Sequence, residues 1–423
     1  MFARHKQSKQ AEGVSSLVAP GAWLGLLGGG QLGRMFCMAA QSLGYRVAVL
    51  DPGAESPAGT VADRHIRADY LDARGLAELA AVAGAATTEF ENVPAEALEF
   101  LARTARVCPA AASVAIAQDR IREKAFLTDH GFGVAPYAVL RDEEDARRVD
   151  AALLPGIVKS ARLGYDGKGQ IRVVSRDEIV AAWIEMGGIP CVVEKFVPLT
   201  SEVSVVVART DRGDTAAWPV AENLHRDGIL DVSIVPARVS VGLAAEARGI
   251  ASAVASKLDY RGVLCVEMFV TPEGELLVNE IAPRPHNSGH YTIDACVTSQ
   301  FEQQVRVLTG LPLGATRQHE PAVMVNLLGD VWFARDGAPP REPDWTVVLR
   351  HPAAKLHLYG KAQPRRGRKM GHITCVAPTL AAALASAQAI KRDLAIPGAS
   401  ELSSNSGDDV AVRGSERGSG HDA

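Results

Sequence analysis

One segment constrains this chain more than any other: residues 265–290, which read CVEMFVTPEGELLVNEIAPRPHNSGH. Apolar runs flank the residues Thr271 to Gly274, a pattern that predicts a β-hairpin closing at this turn. Each arm carries one acidic residue, Glu267 in the first and Glu280 in the second. The segment 284–287 follows at once and offers donors suited to a developing negative charge. Carboxylates and donors this close together indicate phosphoryl-transfer chemistry rather than packing.

The pairing of the two arms decides how far apart the carboxylates lie. We expect Val270 to pair with Glu275, which sets Glu267 opposite Val278. Glu280 is then the diagonal neighbour of Glu267 on the same face, about 7–8 Å away between backbone positions. Two carboxylates at this spacing can share a hard cation such as Mg²⁺.

Length and composition exclude several classes of protein. The chain has 423 residues, 47% hydrophobic and 22% charged, which suits roughly two to four globular domains. A net charge of −4 and a pI of about 6.3 give no basic excess, so we expect no nucleic-acid partner. No apolar run approaches the roughly 18–20 residues that span a bilayer, and no secretory signal is present, so we expect a cytoplasmic protein without a membrane partner. Six cysteines without CxxC spacing indicate free thiols rather than zinc ligands.

Alternating strands and helices organise the first part of the chain. The predicted elements are strand Trp23–Leu27, helix Gln31–Leu43, strand Arg46–Leu50, helix Ala73–Ala83 and strand Ala86–Phe90. This β-α-β-α-β order implies a parallel sheet with right-handed crossovers.

A charged helix at Asp119–His130 opens the next section. The elements predicted after it are strand Gly156–Ser160, strand Ile171–Val174, helix Ser175–Met186, strand Cys191–Phe196, helix Leu243–Leu258 and helix Ile293–Thr309. Residues 321–396 form a smaller α/β unit, and the Ser/Gly/charge-rich sequence after Ile396 predicts a flexible tail.

The glycine-rich turn Gly28–Gly33 (GGGQLG) follows a predicted strand and precedes a predicted helix. Its glycines allow a ligand to approach the backbone closely, and the N-terminus of the following helix attracts an anion. Asp51 ends the second strand, where a dinucleotide-binding fold places the acid that binds its ribose. The pattern favours a phosphate ligand, with a nicotinamide dinucleotide or a plain turn as alternatives.

A second glycine-rich loop, Ala161–Gly169 (ARLGYDGKG), joins two predicted strands. Its three glycines let backbone N–H groups reach phosphate oxygens, and Lys159 and Lys168 supply positive charge. These features suit a nucleoside triphosphate, although the absence of GK[ST] means that this is not a Walker loop. A hairpin loop with solvated lysines is the alternative.

Two further segments carry weaker signals. Strand Val192–Val197 is apolar except for Glu194 and Lys195, and the backbone at its end could bind an adenine edge while Glu194 binds ribose hydroxyls. An edge strand with surface charges fits equally well. Residues 361–372 include five lysines and arginines, which could neutralise a phosphate or form a solvated basic face.

Seven motifs occur in order between residues 22 and 375. They are GGGQLGRM, TTEFENVP, GYDGKGQ, SEVSV, ENLHRDGI, NEIAPRPHNSGHYTIDAC and GRKMGHI. On these residues the chain resembles the N5-carboxyaminoimidazole ribonucleotide synthetases of purine biosynthesis, which are members of the ATP-grasp superfamily. The segment APRPHNSGHYT is specific to that family, and the resemblance covers nearly all of the expected folded chain.

The resemblance implies a fold of mixed class, α/β and α+β, with three domains. These are an N-terminal Rossmann-like domain at residues 21–118, a central ATP-grasp domain at 119–315 and a small C-terminal α/β domain at 316–396. We expect residues 1–20 to be a disordered extension and residues 397–423 to be a flexible tail. The resemblance also implies a homodimer.

The reaction that the resemblance implies joins ATP, bicarbonate and 5-aminoimidazole ribonucleotide to give ADP, phosphate and the N5-carbamate. In this family bicarbonate first attacks the γ-phosphate to give carboxyphosphate, and the exocyclic amine then captures that species or the CO₂ released from it. The cofactors implied are ATP and Mg²⁺, or Mn²⁺ in its place, with Glu267 and Glu280 matching the metal ligands. Arg284, His286 and Asn287 match the catalytic positions that orient bicarbonate and stabilise carboxyphosphate.

The remaining site residues follow from the resemblance in the same way. The positions that match ATP contacts are Arg120, Lys159, Gly164, Tyr165, Asp166, Gly167, Lys168, Gly169, Gln170, Glu194, Lys195, Phe196, Val197, Glu202, His225, Asn279 and Glu280. The positions that match ribonucleotide contacts are Gln31, Leu32, Glu91, Asp166, Lys168, Lys361 and Arg368. In this interpretation the N–H groups of Gln31 and Leu32 bind the 5′-phosphate, and Asp166 orients the amine or accepts its proton.

Three other functions compete with this interpretation. A formate-using ATP-grasp ligase acting on glycinamide ribonucleotide would share the nucleotide site but not the segment APRPHNSGH. An NAD-linked oxidoreductase would leave the pair Glu267 and Glu280 and the second glycine-rich loop unexplained. A degenerate ATP-binding regulator is disfavoured because Glu267, Glu280, Arg284 and His286 are all present.

Overall fold

The computed structural model describes residues 17–162, 164, 169–335 and 337–402. The strands of these residues form three sheets of five, four and nine strands. Side chains of the second and third sheets line one cleft, together with residues such as Gln31 and Glu89 that follow strands of the first sheet.

The first sheet is parallel, with strand order β3-β2-β1-β4-β5. Its strands are β1 (Trp23–Leu27), β2 (Arg46–Leu50), β3 (Arg64–Ile66), β4 (Ala83–Thr88) and β5 (Arg106–Val107). Its helices are α1 (Gln31–Ser42), α2 (Ala73–Ala80), α3 (Ala95–Leu101) and α4 (Ala111–Ala117). The parallel sheet and the bounds of β1 and β2 confirm the prediction, whereas β4 begins three residues before the predicted Ala86 and ends at Thr88.

The second sheet is antiparallel, with strand order β6-β9-β7-β8. Its strands are β6 (Tyr137–Leu140), β7 (Gly156–Ser160), β8 (Gln170–Val173) and β9 (Cys191–Lys195). The helices of this section are α5 (Arg120–Asp129), α6 (Glu143–Arg148) and α7 (Arg176–Glu185), with a 3₁₀ turn at Ala151–Leu153. The Asp119 side chain accepts hydrogen bonds from the first-turn N–H groups of α5 and so fixes where that helix begins.

The third sheet is the largest, with strand order β15-β14-β10-β12-β13-β16-β18-β17 and β11 paired to β10. Its strands are β10 (Ser201–Arg209), β11 (Thr215–Ala217), β12 (Ala221–Arg226), β13 (Ile229–Val235), β14 (Gly262–Val270), β15 (Leu276–Ala282), β16 (Ala322–Leu328), β17 (Ala354–Leu358) and β18 (Lys369–Val376). The helices of this part are α8 (Val241–Lys257), α9 (Thr292–Ala295), α10 (Gln300–Thr309), α11 (Thr346–Leu349) and α12 (Leu380–Asp393). Short 3₁₀ turns lie at Asn287–Gly289, Gly329–Trp332 and Ala399–Leu402.

The C-terminal unit is joined to the rest of the third sheet by backbone hydrogen bonds. Strand β16 pairs with β13 over Val232–Val235, and β18 and β17 extend the sheet beyond it. The small α/β unit predicted for the end of the chain therefore has no separate sheet in the described residues.

One predicted helix is wrong as a single element. The sequence predicts one helix from Ile293 to Thr309, but the structure has α9 and α10 with an extended segment between them. Cys296 forms a β-bridge with Gln318 there, which holds the backbone extended. Ser299 then starts a new helix by accepting a hydrogen bond from Glu302 N–H.

Helix α10 ties the first sheet to the third. Phe301 and Val305 lie in the same hydrophobic cluster as Met35 of α1. The buried amide of Gln304 accepts the N–H of Val263 on β14 at 2.6 Å and donates to Thr87 Oγ1 on β4 at 2.9 Å. These contacts hold the two sheets on either side of the cleft.

The ends of the described chain differ from the prediction where they can be compared. Val18 N–H donates to Thr309 O at 2.9 Å, so the end of the predicted disordered segment 1–20 is in contact with α10. Leu402 is buried in the core against α12, which moves the end of the folded region beyond the predicted residue 396. Residues 1–16 and 403–423, which carry the rest of these two predictions, lie outside the described residues. Among the described helices, none has the length and apolarity to cross a membrane.

Candidate active site

A cleft of about 680 Å³ opens where the three sheets meet. It brings together most of the site residues that the sequence predicts. Those that line it are Gln31, Leu32, Glu91, Arg120, Lys159, Gly164, Gln170, Glu194, Lys195, Phe196, Val197, Glu202, His225, Glu267, Asn279, Glu280, Arg284, His286 and Asn287. Gly169, Lys361 and Arg368 are described but do not line this cleft, and Tyr165, Asp166, Gly167 and Lys168 lie outside the described residues.

The hairpin of β14 and β15 forms where the sequence predicts it, but the predicted register is wrong. Val270 pairs with Leu276, one residue later than expected. A β-bulge then inserts one extra residue, Asn279, into the second arm. As a result Glu280 pairs directly with Glu267 and is not its diagonal neighbour. The two carboxylates lie on one face and closer together than predicted, because directly paired residues have Cβ atoms only about 4.5–5.5 Å apart.

Helix α5 supplies partners for the backbone at the bulge. Lys124 Nζ donates to the carbonyl of Asn279 at 3.1 Å, and the Glu123 carboxylate accepts the N–H of Ile281 at 2.6 Å. Both side chains are buried, and burial raises the pKa of Glu123 to about 7. Sequence reasoning did not identify either residue. The sequence of α5, RIREKAFL, has charges around the whole helix although the helix packs on the core. This pattern was the available sign that some of these charges are buried and have partners.

A buried ion cluster lies beside the bulge. Lys159 Nζ is 2.9 Å and Lys124 Nζ is 3.5 Å from the Glu194 carboxylate. Burial raises the pKa of Glu194, but Lys159 and Lys124 outweigh it and hold that pKa below its ordinary value. Burial lowers the pKa of Lys124, whereas Lys159 lines the cleft and presents a cationic group there. Arg120 adds a further cation, 3.3 Å from Glu280.

His286 connects the segment after the hairpin to the first carboxylate. Its Nε2 lies 2.8 Å from Glu267 Oε1. Burial lowers the pKa of His286, but Cys265 and Glu267 together raise it to about 10. Burial likewise raises the pKa of Glu267, and the nearby His286 outweighs it and lowers that pKa to about 2. A similar pair lies at 3.0 Å between His225 Nδ1 and Glu202.

Arg284 and Glu91 form a bidentate ion pair inside the cleft, in which Arg284 Nη2 donates to Glu91 Oε1 at 3.1 Å and Nε donates to Oε2. Burial alone would raise the pKa of Glu91, but Arg284 lowers it to about 2. The sequence assigned Arg284 to the bicarbonate site and Glu91 to the ribonucleotide site. Their direct contact means that these two predicted subsites adjoin.

The glycine-rich turn is partly occupied by the protein's own carboxylate. Glu89, which the sequence did not single out, accepts the N–H groups of Gly30 and, at 2.8 Å, of Gly33. Burial raises the pKa of Glu89. Among the described residues, the first-turn N–H groups of Gln31 and Leu32 have no acceptor. These are the two N–H groups that the resemblance assigns to the 5′-phosphate.

Asp51 has a local role that the sequence did not predict. Its Oδ2 accepts the N–H of Gly29 at 2.9 Å and the hydroxyl of Tyr70 at 2.7 Å. A dinucleotide-binding fold would use this acid for ribose hydroxyls. Here the carboxylate holds the glycine turn closed, which removes the main support for a nicotinamide cofactor.

The cationic segment at the C-terminal side reaches the cleft through one of its five cations, which was not among the predicted ribonucleotide contacts. Lys369, at the start of β18, lines the cleft. Lys361 Nζ donates to the carbonyl of Lys369 at 2.6 Å, and Arg368 Nη1 donates to the carbonyl of Gln363 at 2.7 Å. The predicted pair Lys361 and Arg368 therefore lies next to the cleft rather than in its wall.

A second group of possible metal ligands comprises Asp294, His357 and His372. The two imidazole rings are stacked, with centroids 4.4 Å apart and planes only 10° from parallel. Imidazole binds a metal in the plane of its ring, at about 2.0–2.1 Å for zinc, so stacked rings do not direct their nitrogens at one ion. The group packs α9 against β17 and β18 instead, with His357 Nε2 2.8 Å from Asp294.

Models of three protein families match successive parts of the chain. A ribonucleotide synthetase preATP-grasp domain matches residues 22–118. An ATP-grasp domain matches residues 125–301. A phosphoribosylaminoimidazole carboxylase C-terminal domain matches residues 322–386.

Curated relatives match most of the chain at once. The N5-carboxyaminoimidazole ribonucleotide synthase of Brucella melitensis is 48% identical over 362 residues, which cover 85% of this chain and 97% of that protein. The protein of the same name from Bacillus subtilis is 44% identical over 361 residues, covering 85% and 92%. The chain belongs to the N5-carboxyaminoimidazole ribonucleotide synthase family.

Solved structures of this family have the same fold. An N5-carboxyaminoimidazole ribonucleotide synthetase in an ADP complex aligns with a TM-score of 0.82 at 40% identity, covering 89% of this chain and 98% of that one. The Aspergillus clavatus synthase in complex with ADP and 5-aminoimidazole ribonucleotide aligns with a TM-score of 0.80 at 31% identity, covering 88% and 98%. The chain is thus an ATP-dependent ligase of purine biosynthesis that carboxylates 5-aminoimidazole ribonucleotide.

The support that α5 gives the bulge can be tested at Lys124. Lys124→Met leaves the carbonyl of Asn279 without a donor and Glu194 with one cation fewer. We expect the free energy of unfolding to fall by about 2–3 kcal/mol, measured by urea denaturation. The exposed Lys257→Met on α8 is the matched control and should change it by less than about 0.5 kcal/mol. Equal stability of the two variants would show that α5 does not support the bulge.

Proposed function

We propose that this chain carboxylates 5-aminoimidazole ribonucleotide with bicarbonate that ATP has activated, in the cleft where the three sheets meet. The observation that carries this proposal is the direct pairing of Glu267 with Glu280 beside the cationic groups of Lys159, Arg120 and Arg284. Facing carboxylates next to several cations meet the needs of phosphoryl transfer, in which phosphate oxygens must be positioned and their charge neutralised.

Glu267 and Glu280 would hold the Mg²⁺ that accompanies ATP. Both offer carboxylate oxygens, which this hard cation prefers as ligands. The side-chain oxygen of Asn279 is buried and has no hydrogen-bond partner among the described residues, so a third oxygen is available at the bulge. Bound Mg²⁺ would lower the cost of bringing anionic bicarbonate to anionic phosphate. Mn²⁺ takes the same oxygen ligands and could replace it.

ATP would lie along the second sheet. The end of β9, at residues 195–197, presents backbone groups that suit an adenine edge, and Glu202 can accept hydrogen bonds from ribose hydroxyls. Lys159 and Arg120 would donate to the phosphates, since both line the cleft on the side of the paired carboxylates. Gly164 and Gln170 flank the glycine-rich loop on the same side.

The chemistry proceeds in two displacements. An oxygen of bicarbonate attacks the γ-phosphorus while the bond to the β-phosphate oxygen breaks, which gives carboxyphosphate and ADP. The exocyclic amine then forms its bond to the carboxyl carbon while the C–O bond to phosphate breaks, and the amine loses one proton. Arg284 would donate hydrogen bonds to bicarbonate and then to carboxyphosphate, and His286 would do so from Nε2 once Glu267 binds the metal instead of the ring. Asp166 is the proposed proton acceptor, on the resemblance alone, because it lies outside the described residues.

The ribonucleotide would lie between the first sheet and the C-terminal cations. The N–H groups of Gln31 and Leu32 are available for its 5′-phosphate at the N-terminus of α1, where an anion is favoured. The bond between Glu91 and Arg284 would bring it next to bicarbonate. We assign Lys361 and Arg368 to the same substrate from the resemblance.

From the resemblance we also infer a cytoplasmic homodimer. Light scattering of the purified protein tests the dimer, which should have twice the chain mass of 44.7 kDa. A particle of single chain mass at micromolar concentration would contradict it.

The proposed activity is tested by measuring ADP and the N5-carbamate in parallel, with ATP and Mg²⁺, at controlled bicarbonate. We expect ADP formation to require the ribonucleotide and to rise with bicarbonate, with about one carbamate formed for each ADP. ADP formation that ignores bicarbonate but responds to formate and glycinamide ribonucleotide would assign the cleft to the other ligase.

Glu280→Gln tests the paired carboxylates. The amide keeps the size of the side chain but removes a negative charge that a metal ligand needs, so we expect kcat to fall by at least about 100-fold. Glu275→Gln, at the exposed turn of the same hairpin, is the matched control and should retain activity. Near-normal turnover of Glu280→Gln would remove this residue as a metal ligand.

Lys361→Ala tests the assignment of the C-terminal cations. If Lys361 binds the ribonucleotide, the KM for that substrate should rise by about tenfold or more while the KM for ATP stays within about twofold. Lys355→Ala on β17 is the control for the loss of one exposed positive charge in the same unit. Equal changes in the two KM values would place Lys361 outside the ribonucleotide site.

A further inference from the structure

A chain of buried polar side chains crosses the third sheet and ends at His286. It begins at Ser233 on β13 and continues through Asn223 on β12, Ser204 on β10 and Ser288 in the 3₁₀ turn after the hairpin. Each of these four residues is at most 4% exposed. None of them was predicted as a site residue, although Ser204 and Asn223 lie within the motifs SEVSV and ENLHRDGI.

The links of this chain are short and consecutive. Ser233 Oγ donates to Asn223 Oδ1 at 2.8 Å, and Asn223 Nδ2 donates to Ser204 Oγ at 2.8 Å. Ser204 Oγ lies 2.7 Å from Ser288 Oγ, which lies 2.9 Å from Nδ1 of His286. We call these four residues, Ser233, Asn223, Ser204 and Ser288, the polar ladder.

The strand pairing places the ladder on one face of the sheet. Asn223 and Ser233 are direct partners across β12 and β13. Ser204 pairs with Ala221, so Asn223 is its diagonal neighbour on that face. The flanking residues Val203 and Val205 point to the opposite face and pack in the core with α8.

An apolar side chain at any of these positions would avoid the cost of burying a polar group. Here hydrogen bonds to a partner offset that cost for every member. A network with some members unpaired would be less stable than apolar packing. A fully connected buried network also fixes one arrangement of its members, which is what a catalytic side chain requires of its support.

The arrangement that the ladder fixes is that of the His286 ring. Its Nε2 faces Glu267 at 2.8 Å and its Nδ1 faces Ser288, so both ring nitrogens are engaged. The backbone of His286 is held separately, because the Gln300 amide accepts its N–H at 2.8 Å and donates to its carbonyl at 2.7 Å. The backbone therefore stays in place without the ladder. The ring is held at Nε2 by Glu267 and at Nδ1 by the Ser288 N–H, 3.3 Å away, and by the Ser288 hydroxyl, and of these contacts only the hydroxyl is positioned by the residues behind it.

We propose that the polar ladder is a positioning device for His286, which sets the orientation of its ring toward the reacting bicarbonate. The inference rests on the proposed role of His286 in orienting bicarbonate and carboxyphosphate. It assigns function to Ser204, Asn223 and Ser233, which do not reach the cleft themselves. If the ring were less firmly oriented, the enzyme would still bind ATP through other residues. Bicarbonate, however, would be aligned less often.

Ser204→Ala tests the ladder at its centre, since it separates Ser288 from Asn223 without touching His286. We expect kcat for carbamate formation to fall by about tenfold, with the KM for ATP within about twofold of the wild-type value. Ser204→Thr keeps the hydroxyl and should restore most of the activity. Ser113→Ala is the matched control, because Ser113 is equally buried and bonds only to the carbonyl of Leu258.

A double-mutant cycle then shows whether the ladder acts through the ring. In a His286→Asn background, Ser204→Ala should cause no further loss, because the group it positions is gone. Ser233→Ala, at the far end, should give a smaller loss of about threefold, and it provides the same comparison if Ser204→Ala does not fold. Losses that multiply in the His286→Asn background, or activity of Ser204→Ala equal to that of Ser113→Ala, would overturn the proposal.

The His286→Asn variant alone distinguishes a failure of the proposed function from a failure of the ladder proposal. If His286→Asn alone forms the carbamate at the wild-type rate, the proposed role of His286 is wrong, whatever the ladder does. If His286→Asn is impaired and Ser204→Ala is not, the function stands and only the ladder is wrong.

Discussion

The structure depends on a single extra residue in one strand. Asn279 forms the bulge that turns Glu280 onto the same face as Glu267 and directly opposite it. Like charges in directly opposed positions destabilise a sheet, so this arrangement requires compensation. Arg120 lies against Glu280 and His286 against Glu267, so each carboxylate has its own cationic partner. A metal ion can replace these cationic partners at the carboxylates, and the partners can then bind phosphates. Two apolar residues at these positions would offer a metal no ligand.

The surrounding fold keeps the bulge in place and brings the substrates to it. Helix α5 bonds to the bulge from one side, and the paired amides of Asn287 and Asn326, 2.8 and 3.0 Å apart in both directions, hold the loop that follows from the other. Asn326 belongs to β16, so these amides connect the C-terminal unit to the loop after the hairpin. Gln304 ties the first sheet to β14. The three units therefore enclose one cleft because hydrogen bonds join each of them to the hairpin or to the loop after it.

Much of this could be predicted from the sequence. The hairpin and the parallel first sheet follow from local patterns, whereas most cleft residues follow from the family resemblance that the seven motifs carry. The register did not follow, because nothing in GELLVNEIA distinguishes a regular strand from one with an extra residue; the bulge depends on α5 supplying Glu123 and Lys124. The break between α9 and α10 depends likewise on pairing with Gln318, which is distant in sequence. Glu89 was missed, and Lys369 was not singled out from the cationic segment, because their positions depend on packing between elements.

A crystal structure with ADP and Mn²⁺ would show whether the bulged hairpin forms the metal site. Anomalous scattering identifies manganese independently of the protein atoms. We expect one strong anomalous peak in contact with carboxylate oxygens of both Glu267 and Glu280, at the roughly 2.0–2.3 Å typical of small divalent cations and oxygen. A nucleotide bound with manganese elsewhere, while Glu267 remains paired with His286 and Glu280 with Arg120, would contradict it.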